Sequence, residues 1–467
     1  DGGGDDEPQP TAADVLQFHS RPRLDPDRLR VAVPANGTAP GYVFVAVKRG
    51  PGQDGPMIVD DEGRVVWFRP TPPHTTATGF RVQEYRGEPV LTWWQGRTRW
   101  GHGMGEYVIV DRHYREIARV RAGDGYEGDH HELQLTPRGT AYMSVYAERR
   151  ADLSAVGGAR DGRIFESIVQ EVDIESGSVV WEWRSADHVP VTEGVTAPKE
   201  TKPHDYFHVN AVDEDTDGDL LVSARNTHAL YKLDKRTGEV IWRLGGTRSD
   251  FAMGPGADFH FQHDVVRLAD GTISLFDNEA TPATGDRSRG LVLRLDERRG
   301  TATVVREYFH PEGLLAGAEG NLQTLPNGSV FISWGPQEHV TEQRPDGGVA
   351  LDLKLPPGAD SYQAFRHVWR GEPLDRPAVA ARRTGRGGDR DRLTAWASWN
   401  GATEVRSWQL LAGDSDDPAE LEPIATVPRD GFETAIRART DAEHVAVRAL
   451  DADGRPLGAS RAIEPAR

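Results

Sequence analysis

The 467-residue chain contains no cysteine, which excludes disulfides, thiolate zinc sites and a cysteine nucleophile. It has no run approaching the ~20 apolar residues that a membrane-spanning helix requires. It has no excess of basic residues: 55 Lys and Arg stand against 73 Asp and Glu, a formal net charge of −18, which argues against a general nucleic-acid binder. Long helical periodicity is also missing. Disorder does not explain these absences, because 12 tryptophans and a 37% hydrophobic content need a core.

What is present is dense punctuation, 51 Gly and 31 Pro, between short runs of β-formers. MIVDDEGRVVWF at 57–68, DIESGSVVWEW at 173–183, DKRTGEVIWRL at 234–244 and DERRGTATVVREY at 296–308 share one pattern. Each is a strand ending in Asp, a Gly-bearing turn, then a β-rich strand that usually carries an aromatic. Trp67, Trp181 and Trp242 hold equivalent places, with Val120 at the missing step. A second signature, a Gly turn followed by an alternating strand, leads the units at 135–145, 215–225, 268–277 and 325–334. A repeat of ~50–60 residues with about four short strands predicts an all-β fold, a β-propeller. Six units fall near 41–70, 80–122, 131–185, 206–246, 261–310 and 319–355. A seven-bladed ring, with 12–40 adding strands, is the alternative. That segment is also expected to pair with the last blade and cover its edge.

The expected domains are a flexible tether at 1–14, the propeller at 15–369, a Gly/Pro/Arg-rich linker at 370–391 and a small β-sandwich of immunoglobulin or fibronectin type at 392–467. The acidic, Gly-rich start, which opens on Asp rather than Met, leads us to expect a longer precursor carrying an export signal or a lipid anchor.

Polar residues recur just before the Gly-turn strands: His130 and His131, His204 and His208, His260 and His263, then Asn321. In a propeller the innermost strands line a central channel, so these positions converge. Asn210 follows His208 in FHVN, and more candidates lie at the far ends of the same units: Arg225, Asn226, His228, Asn278, Arg289, Trp334 and His339. Neutral His serves as base or nucleophile, while Arg and Asn hold anionic oxygens. Such a pocket suits a sulfuryl, phosphoryl or carboxylate group and not a glycosidase, which needs two acids astride the bond. His131–Glu132 is a counter-example to that lack of carboxylates.

Two metal readings arise. Asp213, Asp215 and Asp217 in DEDTDGD match the opening of a calcium loop, although the twelfth position is Ala224 rather than Glu, so an acidic hairpin turn competes. The channel histidines are also candidates for a transition metal. Trp93, Trp94 and Trp100 form either a stacking platform for an aromatic or sugar ring or part of the core.

The fragments APGYVFVAVKRGPGQDGPMIVDDEGRVVWF, HHELQLTPRGTAYM, FHVNAVDEDTDGDLLVSARNTHALYKLDKRTGEVIWRLGG, FQHD, GTISLFDNE and GNLQTLPNGSVFISWG, in order over about 15–355, resemble the arylsulfotransferase family. The likeness is to its actinobacterial and fungal arylsulfotransferase-like branch. The resemblance implies six blades, a secreted or lipid-anchored location and no required cofactor. It also implies transfer of a sulfuryl group between phenols without a nucleotide donor, through a sulfated histidine. By motif, FHVN supplies His208, FQHD supplies His263, SRG supplies Arg289 and SARN supplies Arg225 and Asn226. Arg289, with Asn226 or Asn278, is expected to hold the sulfuryl oxygens, and His208 and His263 to bind oxygens or move the phenol proton. His339 is the residue nearest the family's nucleophile. A different lyase, hydrolase or isomerase, metal-dependent or not, and a secreted ligand- or glycan-binding protein are the alternatives.

Overall fold

The computed structural model describes residues 9–383 and 391–466. Of the expected tether and linker, residues 1–8 and 384–390 lie outside the described residues. Nearly all of the regular secondary structure is strand, and among the described residues no helix is long and apolar enough to cross a membrane.

Residues 42–367 build six sheets, each containing an antiparallel meander of four strands, in sequence order apart from the first; the fifth adds the short strand Ala252–Met253 in parallel at its edge. The fourth sheet shows why. Val209–Glu214 runs into a turn that Gly218 closes at φ +87°, a backbone angle that suits glycine. Leu220–Ala224 returns, a short turn at Arg225–Thr227 follows, and Ala229–Leu233 and Val240–Gly245 complete the sheet. Successive side chains leave a strand on opposite faces, so neighbours in sequence enter different cores. Leu230 packs toward the fifth sheet with Leu275 and Leu291, whereas Tyr231 packs toward the third with Tyr142 and Trp183. Trp93 likewise joins Trp67 and Phe44 of the first sheet, and Trp94 joins Met143 and Ile168 of the third. Six such clusters lie one between each pair of neighbouring sheets, the sixth sheet meeting the first through Phe331, Leu351, Val43 and Val45.

The strand that leads each sheet is Ala364–His367, Thr76–Tyr85, Leu133–Leu135, Val209–Glu214, His263–Arg267 or Asn321–Thr324. Each contacts the next, and the last contacts the first, so they form a closed circle. Closure joins distant parts of the chain: Ala364–His367 pairs with Tyr42–Val47. The side-chain amides of Asn321 and Gln323 extend this join. Asn321 bonds Ala364 N and O at 2.9 Å each, and Gln323 bonds Arg366 N and O at 2.7 and 3.0 Å. The edge of the sixth sheet is covered by Arg30–Val33, which pairs with Val349–Lys354.

Two further sheets follow, of three and four strands, sharing a core of Leu393, Trp408, Leu410, Ile436 and Val447. They begin earlier than expected. Ala378–Arg383 pairs with Arg392–Ser398, and Gly371 N bonds Thr403 Oγ1, so residues 370–383 are structured rather than linker. The short continuous apolar run AVAA overrides the Gly/Pro/Arg composition around it. At the other end of the chain, Thr11 caps a turn at Ala12–Asp14, and Asp14 pairs with Arg30.

Candidate functional site

One cavity of about 920 Å³ opens where the leading strands begin, and His130, His131, His204, Asp205, His208, Arg225, Asn226, His228, His263, Glu319 and Tyr362 line it. The entry to each strand aims these side chains. His208, His228, Phe261 and Glu319 have φ between +52° and +64°. Such left-handed angles cost non-glycine residues about 1–3 kcal/mol each and persist only where the surroundings enforce them. The pairing of Val209–Glu214 and of His263–Arg267 with their neighbours shifts register at the cavity end, which turns the side chains there out of the regular pleat.

His131 Nδ1 lies 2.5 Å from Asp129 Oδ2, an oxygen that also accepts from His131 N and Ser144 Oγ at 3.0 Å each. His208 Nδ1 lies 2.5 Å from Asp205 Oδ2, which His102 Nε2 also reaches at 3.0 Å. The two rings point their Nε2 atoms at each other, 3.2 Å apart. Burial works against both carboxylates, but the facing histidine rings and their N–H groups outweigh it and hold Asp129 and Asp205 ionised. Burial drives His131 down to about 3 and lowers His208, so both rings are neutral.

His263 is pushed well below the usual range, first by burial and then by the Arg225 charge. Its Nδ1 bonds Asn278 Oδ1 at 2.7 Å, and Asn278 is oriented by donating to Ala316 O and Glu319 O. That fixes the proton on Nδ1 and leaves Nε2 as an acceptor at the cavity wall, where it takes the Glu319 N–H at 3.3 Å. Arg225 stacks over Phe261 at 4.7 Å and donates to Asn226 Oδ1 and Gly317 O. The Tyr362 hydroxyl is buried without a partner.

Of the residues expected from sequence, His131, His208, His263, Arg225, Asn226 and His228 therefore meet at one cavity, with Asn278 directly behind His263. Burial lowers His228 to about 4. Others lie elsewhere. Arg289 is held by Asp277 at 2.9 Å, Glu307 and Asp258 O. His339 begins the third strand of the sixth sheet, away from the leading strand, and bonds Asp352 beside His310. Trp334 packs in the core and donates to Thr341, Asn210 donates to Gln262 O, and Asn321 serves ring closure. Trp93 and Trp94 are core residues, whereas Trp100, 43% exposed, lines the cavity mouth. Glu132 is taken by Arg81.

The calcium reading of Asp213, Asp215 and Asp217 does not survive the geometry. Arg267 and Lys232 hold Asp215, Lys232 also holds Asp217, and Asp213 accepts from Gln134 and Arg267 N. Fixed cations and donors already occupy the oxygens that the ion would need. Sequence reasoning missed Asp129, Asp205, Glu319 and Tyr362. The first two stand within three residues of a histidine, in DHH and DYFH, and that short spacing was the available signal.

Asp264, beneath the cavity, is raised to about 7, chiefly by burial, although Leu322 N donates to it. Its folded pKa lies above its unfolded one, so the stability it contributes is present at acid pH and is lost as pH rises from about 4 to about 7. Asp264→Asn is expected to gain in melting temperature over the parent between pH 5 and pH 8. A difference that stays constant across that range would exclude the assignment.

A family model described as Arylsulfotransferase (ASST) matches residues 81–355. The chain belongs to the arylsulfotransferase family. A search of curated proteins found no match. Among solved structures, the chain is similar to a protein of unknown function from Bacteroides caccae, with 14% identity, 70% of this chain and 100% of that one covered, and a TM-score of 0.43. It is also similar to a catalytically inactive virginiamycin B lyase from Staphylococcus aureus solved with quinupristin, with 11% identity, 81% and 93% coverage and a TM-score of 0.33. A third is a calcium-binding protein, regucalcin, from Agrobacterium tumefaciens, with 14% identity, 68% and 81% coverage and a TM-score of 0.34. In this arylsulfotransferase-family chain the matched segment contains His131, His208, Arg225 and His263, while Tyr362 lies beyond its end.

Proposed function

We propose that the chain moves a sulfuryl group from an aryl sulfate to a phenol, with no nucleotide donor, in the histidine-lined cavity. We read the six sheets as the blades of a β-propeller, its axis inside the circle of leading strands, and the last two sheets as a β-sandwich. The observation that carries the reaction is the state of His263: a neutral ring, its proton fixed on Nδ1 by Asn278, its Nε2 facing the cavity beside Arg225.

In the first half-reaction Nε2 attacks sulfur. The N–S bond forms, the S–O bond to the aryl group breaks, and its electron pair leaves on oxygen as phenolate, which takes a proton from solvent water. The ring proton stays on His263 Nδ1, donated to Asn278 Oδ1, so the sulfated ring is a zwitterion. In the second half-reaction a phenol oxygen attacks sulfur, its proton passes to the Nε2 lone pair of His131 or His208 and on to solvent, and the N–S pair returns to His263 Nε2. Arg225 holds the sulfuryl oxygens, with Asn226 orienting the guanidinium, and the Glu319 N–H, which bonds His263 Nε2 in the free protein, passes to a sulfuryl oxygen as the N–S bond forms. The Nε2 atoms of His131 and His208, 3.2 Å apart on the same wall, take the phenol proton. Trp100 at the mouth offers a ring for the aromatic substrate to lie against.

The test is a nucleotide-free mixture of 4-nitrophenyl sulfate and a phenol. Nitrophenol release that depends on the acceptor is expected, and no release from folded protein would end the reading. Arg225→Gln is expected to lose activity by about 100-fold, the scale of one oxyanion contact. Arg289→Gln and His339→Ala are expected to stay within a fewfold of the parent, since their side chains are engaged elsewhere. A metal-dependent lyase, hydrolase or isomerase is the second reading, and the His131–His208 contact favours it. We also place the protein outside the cytoplasm, as the composition of its start supports; fractionation of the source cells checks this.

A further inference from the structure

The contact between His131 and His208 sets two imidazole Nε2 atoms 3.2 Å apart at the cavity wall. Behind each ring, Nδ1 lies 2.5 Å from a carboxylate oxygen, Asp129 Oδ2 for His131 and Asp205 Oδ2 for His208, so each ring gives its Nδ1–H to a carboxylate and turns Nε2 toward the other. Two imidazole nitrogens converging on one point, each backed by a carboxylate, have the geometry of a pair of ligands to one cation.

The charge around the pair has the same sense. Asp129 is fully buried and Asp205 nearly so, yet among the described residues only histidines ion-pair with them, and no Lys or Arg does. Two anions in a dry interior require compensation. Among the described residues Arg225 is the guanidinium in the cavity wall, with Lys199 and Lys202 also lining it, and none of the three forms an ion pair with Asp129 or Asp205.

We propose that His131 and His208 bind a divalent first-row transition-metal ion, zinc or a neighbour, through their Nε2 atoms, leaving its other positions open to the cavity. Two imidazole nitrogens about 2.0–2.1 Å from a tetrahedral metal lie about 3.3 Å apart, close to the separation here. A carboxylate on the far nitrogen of each ring is the usual support for a metal-bound histidine. Both supports are themselves held: Asp129 by Gly103 N, His131 N and Ser144 Oγ, and Asp205 by His102. Imidazole donors suit zinc, copper, nickel and iron rather than calcium or magnesium. The partnerless Tyr362 hydroxyl, on a ring 5.6 Å from that of His131, is a polar group on the same wall for a water bound to the ion.

The His310–His339–Asp352 cluster does not compete. There Asp352 accepts from His339 Nδ1 at 2.8 Å, and His310 Nδ1 accepts from Glu312 N, so its remaining N–H points at Asp352 and the donors and acceptors match without an ion. In the transfer reaction such an ion, held by His131 and His208, would supply Lewis acidity toward the phenolic oxygen in place of the bare Nε2 atoms. That role rests on the transfer reading, but the site does not.

The test uses the full chain without substrate. Protein stripped with a chelator is titrated with Co²⁺, followed by visible absorption and by melting temperature. One ion per chain is expected, with a rise in melting temperature that grows with free Co²⁺. His131→Ala and His208→Ala are each expected to weaken binding at least 100-fold, while His263→Ala and His339→Ala bind as the parent does. If an alanine variant fails to fold, the parent still decides: X-ray absorption of the cobalt-loaded protein must find imidazole nitrogens at bonding distance. No saturable binding by the stripped parent, binding unchanged in both alanine variants, or binding lost only in His339→Ala overturns the site. A parent that binds no metal but turns over 4-nitrophenyl sulfate overturns the metal and leaves the transfer. A parent that binds Co²⁺ at these histidines but is inert toward aryl sulfates does the reverse.

Discussion

Replacing His263 by alanine is expected to lower aryl sulfate turnover by about a thousandfold or more while the chain stays folded. The size follows from the role. A ring that forms and breaks the bond to sulfur leaves no alternative path through the same intermediate when it is removed, and only the binding contributions of Arg225 and the backbone remain. Asn278→Ala is expected to fall between the two, because the ring survives but loses the acceptor that fixes its proton on Nδ1. A ring with its proton on Nε2 presents N–H to the sulfur instead of a lone pair. The diagnostic reading is a rapid-mix experiment on the parent with 4-nitrophenyl sulfate and no acceptor. A burst of nitrophenol near one per chain is expected, and it should vanish in His263→Ala. Parent-like turnover in His263→Ala, with an unchanged melting curve, would remove His263 from the reaction.

The repeat was legible in sequence because it is written in local chemistry. A Gly turn at a fixed place, strands of alternating polarity and a tryptophan at the third position of Val65–Phe68, Val179–Arg184 and Val240–Gly245 are all short-range signals. The gathering of His131, His208 and His263 was legible for the same reason, since each stands at the same place in its unit. What failed was anything decided between units. Arg289 and His339 occupy strand ends that look equivalent in sequence, but Asp277 and Asp352 stand opposite them and hold them away from the cavity. Asn321 sits in register with the histidines and yet faces Ala364, because the sixth sheet neighbours the strand that closes the ring. Asp215 resembled a calcium ligand until Arg267, 52 residues away, was found against it.

The closure itself predicts the second large effect. Arg366 lies on the closing strand, 3% exposed, and donates to Ala39 O at 2.6 Å and to Asp61 at 2.8 Å, with Glu342 at 3.3 Å. It thus ties three segments from opposite ends of the ring: the loop before Tyr42, the turn after Gly55–Val59 and the third strand of the sixth sheet. Glu342 is fully buried, and burial already raises its pKa although Arg366 opposes the shift. Arg366→Met keeps much of the side-chain volume and removes the charge. It is expected to destabilise the fold by about 3–5 kcal/mol at neutral pH, the usual penalty for stranding one partner of a buried pair. The sign with pH follows. Without its cation, Glu342 is raised further, so in the variant it protonates at a pH where the parent's is still ionised. The loss should therefore shrink as pH falls toward 5, and Glu342→Gln added to Arg366→Met should recover part of it. Denaturant unfolding of the parent, both single variants and the double variant at pH 5 and pH 8 completes the cycle. A loss independent of pH and unrelieved by Glu342→Gln would mean that Arg366 acts through its backbone-facing bond to Ala39 and not through the buried pair that locks the ring.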